Sequence, residues 1–392
     1  MELTRLTEGN QVVLFENGTT YFPAVETAID CASTEIYIET YIYENDATGL
    51  RIANALHRAT LRGVQVHLLI DGFGSKRLPR SMLNRLRGDG IETIIYRPQI
   101  SPWTFRRKRL RRMHRKIIVV DRKIAFVGGI NIIDDTETTI NLPRYDYAVS
   151  VEGPLVETIR RSAKLLWSRV AWRNFKKRKA RYEPVTEPTA AGGEMKAAFL
   201  VRDNFRHRRE IETAYLQAID QAQFEIIIAN AYFFPGFQFR HALTNAARRG
   251  VRVVLLLQGK SDHPVQHYAT RALYDNFLMA GIEIYENHKK FLHAKVAVID
   301  GQWATVGSSN IDPFSLLLSR EANIVVDNTD FSTTLKNSLE RCIATDAMRI
   351  FKESWKQQPA GLRFVSWLSY GLLRLLTGLS GYAPENISGM KE

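Results

Sequence analysis

The two halves of the sequence contain the same succession of segments. A strand-like stretch that ends in aromatic residues occurs at Thr34–Tyr43 and again at Phe224–Gly236. Each is followed by a helical stretch that ends in Arg-Gly-Val and runs into an apolar strand, at Ala55–Gly72 and Ala242–Gly259. A glycine after a periodic helix is a C-cap signal, and strands that alternate with helices are typical of layered α/β sheets. The duplication predicts an α/β fold of two similar lobes that face each other, each a mostly parallel or mixed β-sheet flanked by helices.

A segment of linker composition separates the two halves. Residues Arg173–Lys196 are first basic and then rich in proline, glycine and threonine, which is typical of connections between domains. We expect an N-terminal lobe at residues 1–190, with this basic linker at its end, and a C-terminal lobe at residues 191–360. Residues 361–392 are expected to form a separate amphipathic tail.

The composition indicates a globular protein with a strong positive charge. The 392 residues are 45% hydrophobic and 24% charged, and the formal net charge is +13. Such a charge attracts polyanions, either nucleic acid or anionic lipid headgroups, although many basic proteins have no such partner. The two cysteines, Cys31 and Cys342, have no neighbours at metal-ligand spacing, which predicts a reducing compartment and no zinc site.

Each half carries one copy of the motif H-x-K-x-x-x-x-D. The six residues, which we assign to a catalytic motif, are His114, Lys116 and Asp121 in the first half and His293, Lys295 and Asp300 in the second. Residues two apart on a strand share a face, so the histidine and lysine of each copy are expected to project together. The lysine provides a positive charge for a phosphate and lowers the pKa of the imidazole, which keeps the ring nucleophilic. The aspartates have the opposite parity, so we expect them to brace the scaffold rather than contact substrate.

A turn of small residues and a carboxylate follow each motif. The turns are GGIN (Gly128–Asn131) and GSSN (Gly307–Asn310), and small residues let backbone N–H groups approach an anion. The residues predicted to bind substrate are Gly129, Asn131, Ser308 and Asn310. The carboxylates Asp146 and Glu321 are the candidates for orienting the histidines. One copy of such a motif could be a satisfied histidine beside a solvated lysine, but two copies with the same tail favour a functional site.

The paired motifs resemble those of the phospholipase D superfamily, and within it the bacterial cardiolipin synthases. The similarity extends from ENGTTYFPAVETAI through ANAYFFPG to ATVGSSNIDPFSLLLSREAN, which is nearly the whole chain. Two departures between the halves, Gly129 against Ser308 and Asp146 against Glu321, suggest unequal roles. The resemblance implies one active site at the lobe interface, with no metal and no cofactor. It implies His114 as the nucleophile that forms a phosphohistidine and His293 as the general acid/base, although the pseudo-symmetry leaves the reverse order chemically possible.

The resemblance also implies a substrate and a reaction. Lys116, Lys295, Asn131 and Asn310 would bind the phosphate oxygens of phosphatidylglycerol. Glycerol would leave, and a second phosphatidylglycerol would attack the phosphatidyl-enzyme to give cardiolipin. The alternatives are a phospholipase D that hydrolyses phospholipid to phosphatidic acid, a phosphodiesterase acting on nucleic acid, and a basic scaffold without activity. We expect anionic phospholipids and a membrane surface as partners, with no nucleic acid and no obligate protein partner.

Membrane association is expected to be peripheral, on the cytoplasmic side of the inner membrane. We expect no signal peptide, and no apolar run approaches the roughly 18–20 residues of a transmembrane helix. Phe105–Lys116 is a basic loop that could gather anionic headgroups, and Trp172–Tyr182 is a weaker candidate. Phe364–Tyr382 is expected to form an amphipathic helix at the interface, or else a helix packed on the domain. Its apolar arc comprises Phe364, Leu368, Leu372, Leu375, Leu376 and Leu379, opposite Ser366, Ser369, Arg374, Thr377 and Ser380.

Overall fold

The fold was taken from a computed structural model, which describes residues 5–98, 111–136, 141–175, 193–203, 207–312 and 319–379. The strands of the first half are β1 (Thr7–Glu16), β2 (Glu35–Thr40), β3 (Gln65–Asp71), β4 (Glu92–Tyr96), β5 (Arg112–Met113), β6 (Ile117–Val120), β7 (Ile124–Gly128), β8 (Arg144–Tyr145) and β9 (Tyr147–Glu152). Those of the second half are β10 (Met195–Arg202), β11 (Glu225–Asn230), β12 (Arg252–Gln258), β13 (Glu283–Asn287), β14 (Phe291–Leu292), β15 (Lys295–Ile299), β16 (Trp303–Gly307), β17 (Ser319–Asp327) and β18 (Ala347–Ile350).

The helices follow the strands in the order that the repeat predicts. The first half contains α1 (Asn17–Asp30), α2 (Ala47–Leu61), α3 (Arg80–Gly88) and α4 (Leu155–Phe175). The second half contains α5 (Glu210–Gln221), α6 (Phe237–Arg248), α7 (Pro264–Arg271), α8 (Tyr274–Met279), α9 (Thr329–Asp346), α10 (Lys352–Lys356) and α11 (Ala360–Leu379). The linker boundary near residue 190 lies outside the described residues, between the end of α4 and the start of β10.

The strand order is the same in both halves, as the duplication predicts. In the first half it is β1-β9-β7-β6-β2-β3-β4, and in the second it is β10-β17-β16-β15-β11-β12-β13, with β18 added at the outer edge. Three strands of each half run parallel, and their neighbours β6 and β15 are antiparallel to them. The sheets are therefore mixed. An antiparallel pair, β1 with β10, joins the two into one continuous sheet.

Three apolar clusters form the core. Two of them cover one face of the sheet, one in each half, where α1 to α3 and α5 to α8 pack. The third takes residues from both halves and is closed by the long helices α4 and α9. The shared cluster buries β6 and β15 at the centre of the molecule, so the segments that enter these two strands are held in fixed positions.

The stretch Met113–Asp121 is interrupted in the structure, whereas the sequence predicts one strand. Two residues form β5, the segment His114–Lys116 has no regular structure, and β6 begins at Ile117. The reason is that β5 pairs with a strand of the other half, so the chain must change direction before it joins its own sheet. The histidine and lysine lie in this change of direction.

Candidate active site

Two short parallel strand pairs connect the halves at the site. β5 of the first half pairs with β17 of the second, and β14 of the second half pairs with β8 of the first. The backbone pairing between the halves extends one residue beyond each strand pair. His114 N donates to Arg320 O at 3.0 Å, and His293 N donates to Tyr145 O at 2.8 Å. Each motif histidine is thus anchored through its backbone to the opposite half.

Each histidine side chain also contacts a carboxylate of the opposite half. His114 Nδ1 lies 3.0 Å from Glu321 Oε2, and His293 Nδ1 lies 2.6 Å from Asp146 Oδ2. A carboxylate accepts a hydrogen bond, so Nδ1 carries the proton and Nε2 keeps its lone pair for a substrate atom. The contacts needed for the predicted orienting role are present, and that role itself stays a prediction.

The two motif lysines are buried beside the histidines. Lys116 is 3% exposed and Lys295 is fully buried. The Nζ of Lys116 donates to the carbonyl oxygen of His114 at 2.7 Å, and that of Lys295 donates to the carbonyl oxygen of His293. Although His114 and Lys116 are outside a regular strand, they do lie together, because the intervening Arg115 points the other way into an ion pair with Glu39.

Burial determines the protonation of the cluster. It lowers the pKa of Lys116 to about 7 and that of Lys295 to about 8, since a dry environment disfavours the ammonium form. It also lowers the pKa of His114, against the opposing effect of Glu321, and it lowers that of His293 well below the usual range. Burial raises the pKa of Asp146 to about 6. Both imidazoles are therefore neutral near pH 7 in the unliganded site, which suits a nucleophile, and a general acid here would gain its proton when an anionic phosphodiester binds.

The asparagines that follow the motifs are buried just after β7 and β16. Asn131 is 1% exposed, and its Oδ1 accepts a hydrogen bond from Ile42 N at 3.1 Å. Within the described ranges its Nδ2 is buried without an acceptor, which leaves two N–H donors for a phosphate oxygen. Asn310 is 5% exposed at the equivalent position of the second half. The substrate-binding role of the pair stays a prediction.

Gly129 and Ser308 lie beside the carboxylates, and their substrate-binding role stays a prediction. Ser308 is fully buried, and its Oγ donates to Glu321 Oε2 at 2.6 Å. A Cβ on Gly129 would lie 2.7 Å from Cγ of Asp146, so the absence of a side chain makes room for that carboxylate. The shorter aspartate pairs with glycine and the longer glutamate pairs with serine. The two sequence differences between the halves are therefore linked: in each half, the residue in the turn matches the length of the carboxylate beside it.

Asp121 and Asp300 lie away from the histidine–lysine cluster and bond to the backbone, and their predicted scaffold role stays a prediction. They follow the far ends of β6 and β15, with φ angles of 52° and 51°. Asp121 accepts hydrogen bonds from the backbone N–H groups of residues 33–35, and Asp300 from those of residues 223–225. Each carboxylate thus links the hairpin that follows the motif to the start of a parallel strand. This position agrees with the expectation that the aspartate points away from the histidine and lysine.

Two tyrosines at the site were missed by sequence reasoning. The ring of Tyr41 lies edge-on to His114 with centroids 4.7 Å apart, and Lys116 Nζ lies 5.3 Å from the same ring centroid. Tyr232 takes the same position beside His293, with centroids 6.4 Å apart. The signal was present, because both residues belong to the aromatic ends of the repeated strand-like segments. These rings form a wall of the site and limit the motion of the imidazoles.

Two further predictions from the sequence concern a metal site and the basic loop. In the part of the chain that the structure describes, no group of three histidine, cysteine or acidic residues could hold a metal ion. The basic loop at Phe105–Lys116 lies largely outside the described residues, as does most of Trp172–Tyr182. One member of that loop, Arg115, is 4% exposed and pairs with Glu39, so its charge is directed into the protein.

Solved structures place the fold in a known class. The phosphatidylserine synthase of Haemophilus influenzae Rd KW20 superposes with a TM-score of 0.69 and covers 96% of each chain at 12% identity. The polyphosphate kinase of Porphyromonas gingivalis gives a TM-score of 0.58, covering 95% of this chain and 54% of that one at 14% identity. These likenesses concern the fold alone. The duplicated fold and the two histidine–lysine pairs in one site define an enzyme of the phospholipase D type.

Sequence comparisons narrow the class. A family model described as "Cardiolipin synthase, PLD-like domain" matches residues 25–162 and 215–343. Cardiolipin synthase B of Escherichia coli (strain K12) and that of Shigella flexneri are each 40% identical over 381 residues, which is 97% of this chain and 91% of the relative. A probable cardiolipin synthase of Bacillus subtilis is 31% identical over 90% of this chain and 68% of its own length. The chain belongs to the cardiolipin synthase family with the phospholipase D-like domain.

Proposed function

We propose that this protein is a cardiolipin synthase that transfers a phosphatidyl group from one phosphatidylglycerol to another and releases glycerol. The observation that carries the proposal is the pair of histidines, each with a neighbouring lysine and each bonded to a carboxylate of the other half. The activity named in the 40% identical relatives supports it. A phosphodiester bound between two such histidines can be attacked from one side and protonated on the other.

In the first step, Nε2 of His114 attacks phosphorus and the bond to the glycerol oxygen breaks. His293, protonated at Nε2 for this step and held in place by Asp146, gives that proton to the departing oxygen and becomes neutral. Lys116, Lys295 and the amide of Asn131 neutralise the non-bridging oxygens, whose charge grows in the transition state. The product is a phosphatidyl group on His114.

The second step reverses the roles. A hydroxyl of another phosphatidylglycerol loses its proton to His293 and attacks phosphorus, which breaks the bond to His114. The product is cardiolipin, and both histidines return to their starting states. If water replaces the lipid alcohol, the product is phosphatidic acid. The site must therefore favour a lipid over water, and the two motifs alone provide no such preference.

A product assay tests the proposal. Purified protein is incubated with phosphatidylglycerol labelled both in its headgroup and in an acyl chain, in detergent micelles or vesicles, and the products are separated. We expect cardiolipin and free glycerol in equal amounts. Phosphatidic acid as the only lipid product would make the protein a hydrolase, and cleavage of DNA without lipid turnover would overturn the proposal.

The proposed roles predict a narrow pH dependence. Asp146 must be ionised to accept from His293, so kcat/KM is expected to fall as the pH decreases through about 6. Lys116 and Lys295 must be protonated, so kcat/KM is expected to fall as the pH rises through about 7 to 8. In kcat the alkaline limb should move to higher pH, because a bound phosphodiester anion stabilises both ammonium groups. A kcat/KM that stays flat to pH 9 would contradict these roles.

We also propose that the protein binds the cytoplasmic face of the inner membrane through α11. No helix among the described residues is long and apolar enough to cross a membrane. The small residues Ser366 and Ser369 face the protein, where Leu373 enters the core of the second half. The apolar arc is left in solvent: Phe364 is 61% exposed, Leu368 55%, Leu372 45%, Leu375 60% and Leu376 43%. Leu379 lies outside the residues whose side chains are described.

This orientation combines the two possibilities raised by the sequence, because the helix packs on the domain and still presents its apolar face outward. An exposed stripe of this kind suits the boundary between headgroups and acyl chains. Trp367, 67% exposed, is on the same surface, and tryptophan favours that boundary. The exposed cations Lys356 and Arg363 lie near the start of the helix and add attraction to anionic lipids.

Replacing Leu368, Leu372 and Leu375 by glutamine together is expected to weaken binding to phosphatidylglycerol vesicles by at least about tenfold, since each leucine contributes apolar area to the membrane contact. The melting temperature should change little, because the three side chains are exposed. Flotation with liposomes measures the binding. A matched control replaces Leu61, Phe224 and Met279, which are 74%, 76% and 64% exposed elsewhere. Equal losses in both variants would remove α11 from the membrane contact.

A further inference from the structure

The transfer reaction needs a way to choose its acceptor. The attacking hydroxyl of phosphatidylglycerol is joined to a second phosphate by a three-carbon bridge, whereas water and free glycerol carry no charge. A cation placed beside the general acid/base, and beyond the lysines that hold the reacting phosphate, would therefore recognise the lipid acceptor alone. Such a group would explain how the proposed enzyme selects its acceptor, so its assignment rests on the proposed function.

Arg144 is a buried cation without a counterion. It is 8% exposed, and it forms no ion pair within 4 Å among the described residues. Its Nε is buried and has no acceptor in the part of the chain that the structure describes. Buried charges in proteins are normally paired, and an arginine with unused donors is suited to a phosphate. The arrangement predicts an anion that arrives from outside the protein.

The carboxylates near Arg144 already have other partners. Asp135 Oδ2 accepts a hydrogen bond from Gly18 N, and Asp146 Oδ2 contacts His293. The backbone N–H of Arg144 donates to Asp135 O at 2.8 Å, which fixes the start of β8. The side chain is therefore held in position by its backbone, while its guanidinium keeps donors for a ligand.

The position of Arg144 is beside His293. Arg144 begins β8 and lies two residues before Asp146, which follows that strand. Arg144 is paired with Phe291 in the β8–β14 ladder, and its Cζ lies 5.2 Å from the centroid of that ring. The Phe291 ring in turn stacks at 30° on His293 with centroids 6.0 Å apart. The guanidinium, the phenyl ring and the imidazole thus form a row.

The other half has a serine at the position equivalent to Arg144, and the cation there is Arg112 on the paired strand, whose buried Nη1 also has no acceptor among the described residues. Ser319 pairs with Arg112 in the β17–β5 ladder as Arg144 pairs with Phe291 in the β8–β14 ladder. The guanidinium of Arg112 lies over a different ring, that of Phe73, at 4.9 Å. The cation of the β8 position is therefore specific to the His293 side, where both the departing glycerol and the incoming hydroxyl exchange their protons.

We propose that Arg144 binds the phosphodiester of the acceptor phosphatidylglycerol and makes this lipid the preferred nucleophile over water and free glycerol. The acceptor hydroxyl forms its bond to phosphorus as the bond to His114 breaks, and its proton passes to His293. Arg144 takes no proton in this step. It holds the second phosphate, which places the hydroxyl next to His293 and occupies the position from which water would attack.

The test separates the two half-reactions. Full-length protein in zwitterionic detergent micelles is given phosphatidylglycerol labelled both in its headgroup and in an acyl chain. The first turnover of glycerol release reports donor attack, and the ratio of cardiolipin to phosphatidic acid reports the choice of acceptor. For Arg144→Gln we expect the product ratio to fall at least about tenfold, because a lost charge contact removes discrimination. First-turnover release should stay within about threefold of the wild type, since the donor phosphate is held by other groups.

Two further variants complete the test. Arg144→Lys keeps the charge and should recover part of the product ratio, whereas Arg87→Gln removes an exposed charge on α3 and should leave it unchanged. An unchanged ratio in Arg144→Gln, with or without a parallel loss of first-turnover release, would overturn the assignment. Wild-type protein that makes no cardiolipin would instead overturn the proposed function, so the two failures are distinguishable.

Discussion

Replacing either motif histidine by alanine is expected to reduce cardiolipin formation by at least about 10³-fold, because one change removes the nucleophile and the other the proton donor. The expectation rests on their shared site, in which His114 bonds Glu321 and His293 bonds Asp146 across the halves. Headgroup release from labelled phosphatidylglycerol measures the loss. Near-normal activity in either variant would contradict a single site.

The two histidines can be told apart with an activated donor. A phosphatidyl ester of p-nitrophenol has a leaving group that needs no proton, so it should restore the first step in His293→Ala and leave His114→Ala inactive. Quenching the reaction at high pH should then trap a phosphatidyl-enzyme in His293→Ala. Restoration of His114→Ala instead would reverse the two roles, which the pseudo-symmetry of the sequence permits.

Two controls protect this result from a folding artefact. Removing His114 leaves the buried Glu321 with fewer partners, at a cost of about 1–3 kcal/mol, so His114→Gln should accompany His114→Ala because its amide can still donate to the carboxylate. His57→Ala is the matched control, since His57 lies on α2 with its side chain 40% exposed. His57→Ala should keep wild-type activity.

A second large loss of activity is expected when a single methyl group is added at Gly129. Gly129→Ala should lower kcat by about 10²-fold, because the added Cβ would lie 2.7 Å from Cγ of Asp146 and displacing a catalytic group by about 1 Å has this order of cost. Asp146 is 1% exposed and holds both His293 and Tyr147 N, so it has no open space to enter. The KM for phosphatidylglycerol should change less than kcat.

The other half provides the rescue for this variant. There, Ser308 donates to the longer Glu321 at 2.6 Å, so the double variant Gly129→Ser with Asp146→Glu copies a combination that the protein already uses. Recovery of activity beyond that of the two single variants would show that their effects are coupled. Ser308→Ala removes a hydrogen bond without adding volume and should cost about tenfold or less. Full activity of Gly129→Ala would contradict the packing explanation.

Much of the fold follows from the sequence because the duplication repeats long segments with strong periodicity. Each half therefore has the same strand order, and its motif histidine lies just before the corresponding central strand. The pairing of His114 with Glu321, rather than with Asp146, could not be derived in the same way. It depends on β5 and β14, two-residue strands that carry no periodic signal and join the opposite half.

Other features depended on contacts that composition does not encode. Arg115 resembles its exposed basic neighbours in the sequence, and only the buried Glu39 opposite distinguishes it. The helical wheel of α11 predicts its apolar arc correctly, but it does not say which face packs. The serines face inward because small side chains allow α11 to approach α7, while Leu373 fills the remaining space in the core.

The exchange of strands and carboxylates between the halves has a consequence for how the two copies can diverge. A duplicated gene segment often leaves one copy as a spare that can accumulate changes. Here neither copy is a spare, because His114 depends on a residue 207 positions away and His293 on one 147 positions away. A substitution in one half is felt first in the chemistry of the other. The halves can therefore change only as matched pairs, such as glycine with aspartate on one side and serine with glutamate on the other.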